Sequence, residues 1–248
     1  MSRSGDSMWI EVCFPTLNRM ESARRLMRSV NGECAIRVSW EEEPKALTGT
    51  VNRLFRQSHQ RGVDVSIMLA DHLEVQPGCI KAVRRVFTER FPDFDGVVGL
   101  NLYNLPPLPG VREYCFLAVG RTYLERFRDE GKRRDVASTG DAGRLEAFCP
   151  DYYHFFGDTE FGEYASELGR FEFCEEARVF SHLHTSFAHA LDDATHQASR
   201  RHVDYDEAAR KERTKRGLLW GRTFERLYQG DVNGVVKTWP KVKGRVSV

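Results

Sequence analysis

The sequence lacks several patterns that identify common classes of protein. No apolar run approaches the roughly 20 residues that a membrane-spanning helix requires, so we expect no membrane span. No apolar signal region precedes the first strand-like segment, so a cytoplasmic protein is expected rather than a secreted one. The six cysteines are scattered without a C-x-x-C pair, which favours reduced thiols over a disulfide framework or a zinc site.

Three well-known functional motifs are also missing. There is no G-x-G-x-x-G after the first strand-like segment, no Walker loop and no G-x-S-x-G elbow. These absences argue against a dinucleotide-binding loop, a P-loop kinase or ATPase, and a serine hydrolase, respectively.

The composition is that of a globular protein. Of 248 residues, 41% are hydrophobic and 29% are charged, as in folded domains. Residues 185–248 carry 13 Lys and Arg against 8 Asp and Glu, whereas residues 1–184 carry 24 against 28. A basic segment is suited to the phosphates of a nucleic acid or nucleotide, and a solvated charged helix is the alternative. We therefore divide the chain into a domain at 1–184 and a basic, mostly helical C-terminal extension at 185–248.

Strand-like and helix-like segments alternate through the first 90 residues. Apolar runs at 9–14, 35–40 and 65–69 are each followed by a stripe of apolar residues with helical spacing. The first run should end before Pro15, because proline cannot donate to a ladder. The third run is apolar throughout, as expected for a strand in the middle of a parallel sheet. This order predicts an α/β fold with a mostly parallel central sheet flanked by helices.

Further elements are predicted beyond this region. They are strands at 96–100, 114–119 and 171–180, a short helix from 120 to 127, a helix beginning at Asp158, and a helical remainder. Asp71, His72 and Glu74 follow the third strand, at the sheet edge where ligands of open α/β sheets bind. The alternative is an ordinary solvated turn.

Four stretches, taken in order, resemble nucleotide-sugar glycosyltransferases of the GT-A fold, most closely the broad family-two type. They are VCFPTLNR at 12–19, LADH at 69–72, CPD at 149–151 with GDTE at 157–160, and VFSHLH at 179–184. The resemblance covers about residues 8–184 and implies a GT-A (Rossmann-like) sheet. It also implies an enzyme that moves a hexosyl or pentosyl group from a nucleoside diphosphate donor, in the first instance a UDP-sugar, to a hydroxyl acceptor.

The resemblance further implies a donor site at the ends of the first strands. Glutamates at 41 and 42 would accept hydrogen bonds from base N–H groups or ribose hydroxyls. The implied donor-site residues are Pro15, Thr16, Arg19, Glu41, Glu42, Asn52, Asp71 and Arg121. For each of them an ordinary turn, cap or surface role is the alternative.

The implied metal motif departs from the family pattern. The family usually carries Asp-x-Asp or Asp-Asp where this chain has Ala70, Asp71 and His72. A Mn²⁺ or Mg²⁺ ion would neutralise the diphosphate leaving group, and imidazole suits Mn²⁺ better than Mg²⁺. The implied ligands are Asp71 and His72 with His182 or His184. The alternative is a metal-independent site in which Arg and Lys side chains neutralise the charge.

Asp158 matches the family's acidic position at a helix start, which in inverting members is the catalytic base. Such a base takes the proton of the acceptor hydroxyl, and a helix N-terminus favours its ionised form. Glu160 is the second candidate, and a simple helix cap is the alternative role for Asp158.

The acceptor is left open by the resemblance. A glycan, a lipid head group, a protein and a hydroxymethylated DNA base all carry a suitable hydroxyl, and the last would have to be flipped out of the duplex. The alternative to an enzyme is a GT-A scaffold with a decayed metal site that binds nucleotides or nucleic acid.

Overall fold

A computed structural model describes residues 8–30, 32–41, 47–104, 114–128, 145–182 and 202–221. The strands are β1 (Ile10–Leu17), β2 (Ala35–Glu41), β3 (Val65–Met68), β4 (Leu73–Val75), β5 (Val97–Leu102), β6 (Leu117–Gly120) and β7 (Phe171–Ser181). The helices are α1 (Met20–Val30), α2 (Leu47–Gln60), α3 (Cys79–Arg90), α4 (Arg121–Leu124), α5 (Gly157–Glu167) and α6 (Val203–Lys215). A 3-10 turn at Glu125–Phe127 extends α4.

The seven strands form one mixed sheet in the order β2-β1-β3-β6-β5-β7-β4. β1 pairs in parallel with β2 and β3, and β5 pairs in parallel with β7. β6 runs antiparallel to β3 and β5, and β4 runs antiparallel to β7. Five strands therefore point one way and two point the other. The predicted α/β class with a mostly parallel sheet is confirmed.

Helices cover both faces of the sheet because successive strand residues face opposite sides. On one face, Val12 packs with α1 and α3 in a core that includes Leu26 and Phe87. On the other face, Cys13 packs with α2 and α5 in a core that includes Phe55 and Phe161. The sheet edge that carries the candidate site is thus held between two cores.

β3 occupies the interior position that its apolar sequence predicts. All four of its residues are buried, and it lies between β1 and β6. Its carboxyl end leads into the loop that carries Asp71, so this loop starts from one of the most enclosed strands of the sheet.

The prediction that the first strand stops before Pro15 is wrong. β1 continues to Leu17, and Pro15 pairs with Ser39 of β2. The carbonyl of Cys13 accepts the N–H of Leu69, so the backbone groups of Cys13 face β3, and those of Pro15, two residues on, face the same side. The β1–β3 ladder ends at Cys13, and the missing proline N–H therefore costs no ladder bond.

β4 was missed in the sequence because a three-residue strand leaves no measurable periodicity. It pairs with the end of β7, where Leu73 lies opposite Ser181. The N–H of Val75 also donates to the Ser29 hydroxyl of α1 at 3.0 Å. Glu74, interpreted as part of a polar turn, is therefore a strand residue.

The C-terminal extension contains a helix, as predicted, and that helix packs on the rest of the chain. Trp220 is 2% exposed in the second core, and its indole N–H donates to the Glu146 carbonyl at 2.8 Å. The predicted boundary at 184 falls outside the described residues, so the division into two parts stays a prediction. Among the helices described, none is both long and apolar enough to cross a bilayer.

Candidate active site

The polar residues of interest gather at the sheet edge where the parallel strands end. β1 and β2 end side by side, with Leu17 opposite Glu41. β3 ends beside the beginning of the antiparallel β6, with Met68 opposite Leu117. Such an edge is where ligands of open α/β sheets bind.

Asp71 lies in the loop after β3 and is 5% exposed. Its Oδ2 accepts a 2.8 Å hydrogen bond from the Thr16 hydroxyl, and its Oδ1 accepts one of 3.2 Å from Arg19. Arg19 reaches this position because Asn18 adopts φ 56°, a left-handed conformation that asparagine tolerates, and so turns the chain between β1 and α1. Three of the predicted donor-site residues are therefore in direct contact.

The surroundings of Asp71 favour its ionised form. Burial by itself would raise the pKa of Asp71, but the neighbouring His72 ring, the charge of Arg19 and the hydrogen bond from Thr16 together hold the pKa below its ordinary value. An ionised carboxylate at the carboxyl ends of the strands can bind a cation.

Two of the predicted metal ligands are neighbours in space. His72 Nδ1 lies 3.8 Å from Asp71 Oδ1. His182 is close in the backbone, since its N–H donates to the His72 carbonyl at 3.1 Å, but its ring Nε2 lies 2.9 Å from Glu74. His184 lies outside the described residues. The ring of His182 is thus engaged by β4 rather than by Asp71.

The pair formed by Asp71 and His72 fits one divalent cation. An ion with ligands at about 2.0–2.6 Å can contact both atoms when they are 3.8 Å apart. Across the parts of the chain that the structure covers, no group of three or more His, Cys, Asp or Glu residues is arranged to hold a metal. Asp71 and His72 are therefore the two ligands that the described residues bring together.

Asp158 is the second residue of α5, where helix geometry begins at Gly157. Its Oδ1 accepts the N–H of Thr159 at 2.7 Å, and the side chain is half-buried. Burial raises the pKa of Asp158 to about 6, and the hydrogen bonds from Thr159 oppose that rise only in part. A carboxylate with this pKa is suited to accept a proton near neutral pH.

Asp158 is linked to the same sheet edge through the segment before β6. Its charge acts on Cys115, whose pKa is raised to about 12 by burial and, secondarily, by Asp158. Cys115 lies two residues before Leu117, which is opposite Met68 at the end of β3. Tyr114 packs against Gly162 so closely that a side chain at that position would overlap it. Asp158 therefore lies near the segment that leads into β6, a strand that begins beside the end of β3.

Glu160, the second predicted base, is buried and bonded to other residues of the protein. It is completely buried, and Arg213 donates to both of its carboxylate oxygens, at 2.8 and 2.9 Å. The Tyr152 hydroxyl and the backbone N–H of Trp220 donate to the same carboxylate. A carboxylate enclosed by four such donors has no approach for an acceptor hydroxyl, and we assign it to holding α6 against α5. No periodicity in the charged C-terminal helix signals these contacts.

The remaining predicted donor residues fall in different environments. Glu41 ends β2 and pairs with Arg53 of α2. Asn52 uses its side-chain amide in both directions on Phe148, donating to the carbonyl at 2.8 Å and accepting from the N–H at 2.7 Å. Asn52 therefore fixes the 145–150 segment, and its amide is not directed to a base. Glu42 lies outside the described residues.

Arg121 lies near the amino-terminal end of β3, at the opposite end of that strand from Asp71. It follows Gly120, which pairs with Val65 at the beginning of β3, whereas Asp71 follows the end of that strand. Because β6 runs antiparallel to β3, Arg121 does not lie beside Asp71, and this differs from the placement that the resemblance implies.

No protein-family model and no curated protein sequence matches the chain. Solved glycosyltransferase structures are similar to it. One is a glycosyltransferase involved in glycosylation of the major capsid of PBCV-1, with 13% identity, a TM-score of 0.46 and coverage of 73% of this chain and 96% of that one.

Two further structures of this kind are similar. The 1–349 fragment of S. aureus TarS matches with 11% identity and a TM-score of 0.49, over 74% of this chain and 63% of that one. Drosophila β-1,4-galactosyltransferase 7, in complex with manganese, UDP-Gal and xylobiose, matches with 11% identity and a TM-score of 0.42, over 67% and 64%. The chain spans less than two thirds of these two proteins.

Proposed function

We propose that the protein transfers a sugar from a nucleoside diphosphate donor to a hydroxyl acceptor. The proposal is supported by two carboxyl groups in different environments, Asp71 in the loop after β3 and Asp158 at the start of α5. Asp71 is held in its ionised form beside Arg19, while burial makes Asp158 a stronger base than an ordinary aspartate. Two carboxyl groups whose environments separate their pKa values are typical of acid–base active sites.

In this proposal Asp158 accepts the proton of the acceptor hydroxyl. The acceptor oxygen forms a bond to the anomeric carbon, the bond from that carbon to the diphosphate oxygen breaks, and the nucleoside diphosphate leaves with the electron pair. A single displacement of this kind inverts the anomeric configuration. The base contributes about 10²–10⁴ in rate when it is correctly placed.

Arg19, Asp71 and His72 act on the diphosphate side. Arg19 offers a guanidinium at the end of β1, suited to phosphate oxygens. Asp71 and His72 would hold Mn²⁺, and the ion when bound would neutralise charge on the leaving diphosphate. Diphosphate oxygens would supply ligands that the described residues do not.

The experiment that tests the proposal measures nucleoside diphosphate release from a panel of UDP-, GDP- and TDP-sugars. Each donor is offered with Mn²⁺ and with hydroxyl acceptors that include glycans, a protein and DNA with hydroxymethylated bases. Donor-dependent release that increases with one acceptor supports the proposal. Absence of release from every donor, with or without acceptor, contradicts it and favours a binding module instead.

A further inference from the structure

Helix α6 of the C-terminal extension contacts the chain on both sides of Asp158. On the preceding side, Asp206 binds the backbone of residues 153–155. On the following side, Arg213 binds Glu160, and Arg210 binds Glu163 at 2.6 and 2.7 Å. The turn that places Asp158 at the start of α5 is thus enclosed by one helix that is distant in sequence.

Asp206 forms the most specific of these contacts. Its carboxylate is completely buried and accepts three backbone N–H groups, from Tyr153 at 2.7 Å and from His154 and Phe155 at 2.8 Å each. Consecutive N–H groups that converge in this way form a site for an anion. A buried carboxylate is tolerated only when such bonds compensate its lost hydration. The Asp206 charge therefore requires the three N–H groups of 153–155, and these N–H groups are held in place by that charge.

The turn between these amides and Asp158 is unfavourable on its own. Phe156 caps α5 with φ 67°, a left-handed conformation that is rare for an aromatic residue, and no side chain caps the helix there. Such a conformation persists where the surrounding structure holds it. The three bonds to Asp206 hold the residues immediately before it.

Arg213 anchors the other side of the same helix start. It donates to Asp151 at 2.8 Å and to both oxygens of Glu160, so it joins the loop before Asp158 to the first turn after it. Asp206 and Arg213 lie seven residues apart, two turns along one face of α6. One rigid face therefore fixes two points that flank the base.

We propose that Asp206 is a positioning residue for Asp158, and that α6 thereby forms part of the active-site framework. The inference rests on the proposed function, because it assigns Asp206 an effect on the rate only if Asp158 is the base. Asp206 contacts no substrate in this assignment and acts through the backbone of 153–155. A displacement of about 1 Å in a catalytic group is enough to lower a rate by about 10²-fold.

The test replaces Asp206 by asparagine, which keeps the shape but directs an N–H₂ group at backbone donors. Asp204→Asn is the matched control, since Asp204 is an exposed acid in the first turn of the same helix. We expect kcat to fall by about 10–100-fold in Asp206→Asn while KM for the donor stays within about twofold. A kcat within twofold of that of Asp204→Asn, or an equal loss in donor affinity, would overturn the assignment.

A second measurement separates this inference from the proposed function. Hydrogen exchange of the amides of residues 153–155 should accelerate in Asp206→Asn and stay unchanged in Asp204→Asn, whether or not the protein transfers sugar. Unchanged exchange in Asp206→Asn would show that Asp206 does not hold the 153–155 backbone, and would refute the inference. Absence of sugar transfer by the wild-type protein would refute the proposed function alone. If Asp206→Asn does not fold, Asp206→Glu keeps the charge and moves the carboxylate by one methylene. A folded Asp206→Glu protein with wild-type kcat and exchange would also overturn the inference.

Discussion

The hydroxyl of Thr16 donates a 2.8 Å hydrogen bond to the carboxylate of Asp71 and so joins the end of β1 to the loop after β3. Both residues are nearly inaccessible to solvent. A hydrogen bond to a buried charged group contributes more to stability than one between neutral groups, about 1.5–3 kcal/mol. Removing it should therefore be visible in both stability and donor binding.

Thr16→Val should lower the free energy of unfolding by about 1.5–3 kcal/mol at pH 7. Because the pKa of Asp71 is lowered in the folded state, its contribution is present above the ordinary value of 3.8 and is lost as the pH falls through the folded-state pKa. Urea titrations at pH 7 and pH 3 should show a deficit that shrinks at low pH. Thr48→Val is the control, because the Thr48 hydroxyl donates to the neutral Tyr152 carbonyl and its deficit should not depend on pH.

Asp158→Asn should lower kcat by about 10²–10⁴-fold, because an amide cannot accept the acceptor's proton. The dissociation constant for UDP, measured by calorimetry, should be unchanged. Glu167→Gln at the far end of α5 is the control and should retain wild-type activity. Retention of a tenth or more of the wild-type kcat in Asp158→Asn would exclude it as the base.

If the wild-type protein transfers sugar as proposed, the pH profile of that transfer should show an acidic limb set by Asp158. Since burial raises the pKa of Asp158 to about 6, kcat/KM should rise as the pH increases through about 6 and then level off. A profile that stays flat from pH 5 to pH 8 would contradict the assignment.

The ionised form of Asp158 should lower the stability of the folded protein at pH values above about 6. Its folded-state pKa of about 6 lies above the ordinary 3.8, so its stabilising contribution is complete below 3.8 and is lost as the pH rises through about 6. Asp158→Asn should therefore be more stable than wild type at pH 8, by at most about 3 kcal/mol, and this advantage should disappear at pH 4. Thermal unfolding at both pH values measures it, and a variant that is less stable at pH 8 would refute the expected cost.

Binding of Mn²⁺ should depend on nucleotide. Within the described ranges, Asp71 and His72 offer only two ligands, so Mn²⁺ alone should bind weakly. UDP should increase the affinity for Mn²⁺, and Mn²⁺ should increase the affinity for UDP by the same factor. Calorimetric titrations of each ligand with and without the other test this coupling. Equal Mn²⁺ affinity with and without UDP would contradict it, as would equal coupling in His72→Ala.

Glu160→Gln should act mainly on stability. Removing the Glu160 charge leaves Arg213 with Asp151 as its charged partner, and breaking a buried ion pair of this kind costs up to about 3–5 kcal/mol. The melting temperature should fall accordingly, whereas the Glu163→Gln change at the half-exposed pair with Arg210 should cost much less. An unchanged melting temperature together with lost transfer would restore Glu160 as a candidate base.

The sequence predicts those parts of the fold that bury continuous or periodic apolar residues. β3 and the buried face of α1 follow directly from such patterns, since Ala23, Leu26 and Val30 are completely buried. The direction of β6 does not follow, because an apolar run carries no information on strand polarity. The start of α4, with Arg121, consequently lies at the opposite end of β3 from Asp71.

For the site, the sequence predicts residue types at strand ends but not which polar groups are already engaged. Thr16, Arg19 and Asp71, which the resemblance implies for a donor site, contact one another, and their role stays a prediction. Asn52 and Glu160 carry suitable chemistry, yet backbone and ion-pair partners distant in the chain occupy them. Those partners, Phe148 and Arg213, are about 96 and 53 residues away, and no local pattern connects them.

The packing of Trp220 and Arg213 also limits how the protein can be shortened. A version ending at residue 184 would remove the indole from the second core and leave the Glu160 carboxylate without its guanidinium partner. Trimming the basic segment to improve crystallisation or expression would thus expose apolar core residues, a change that favours aggregation. Truncated versions of the protein should retain the chain at least to Gly221.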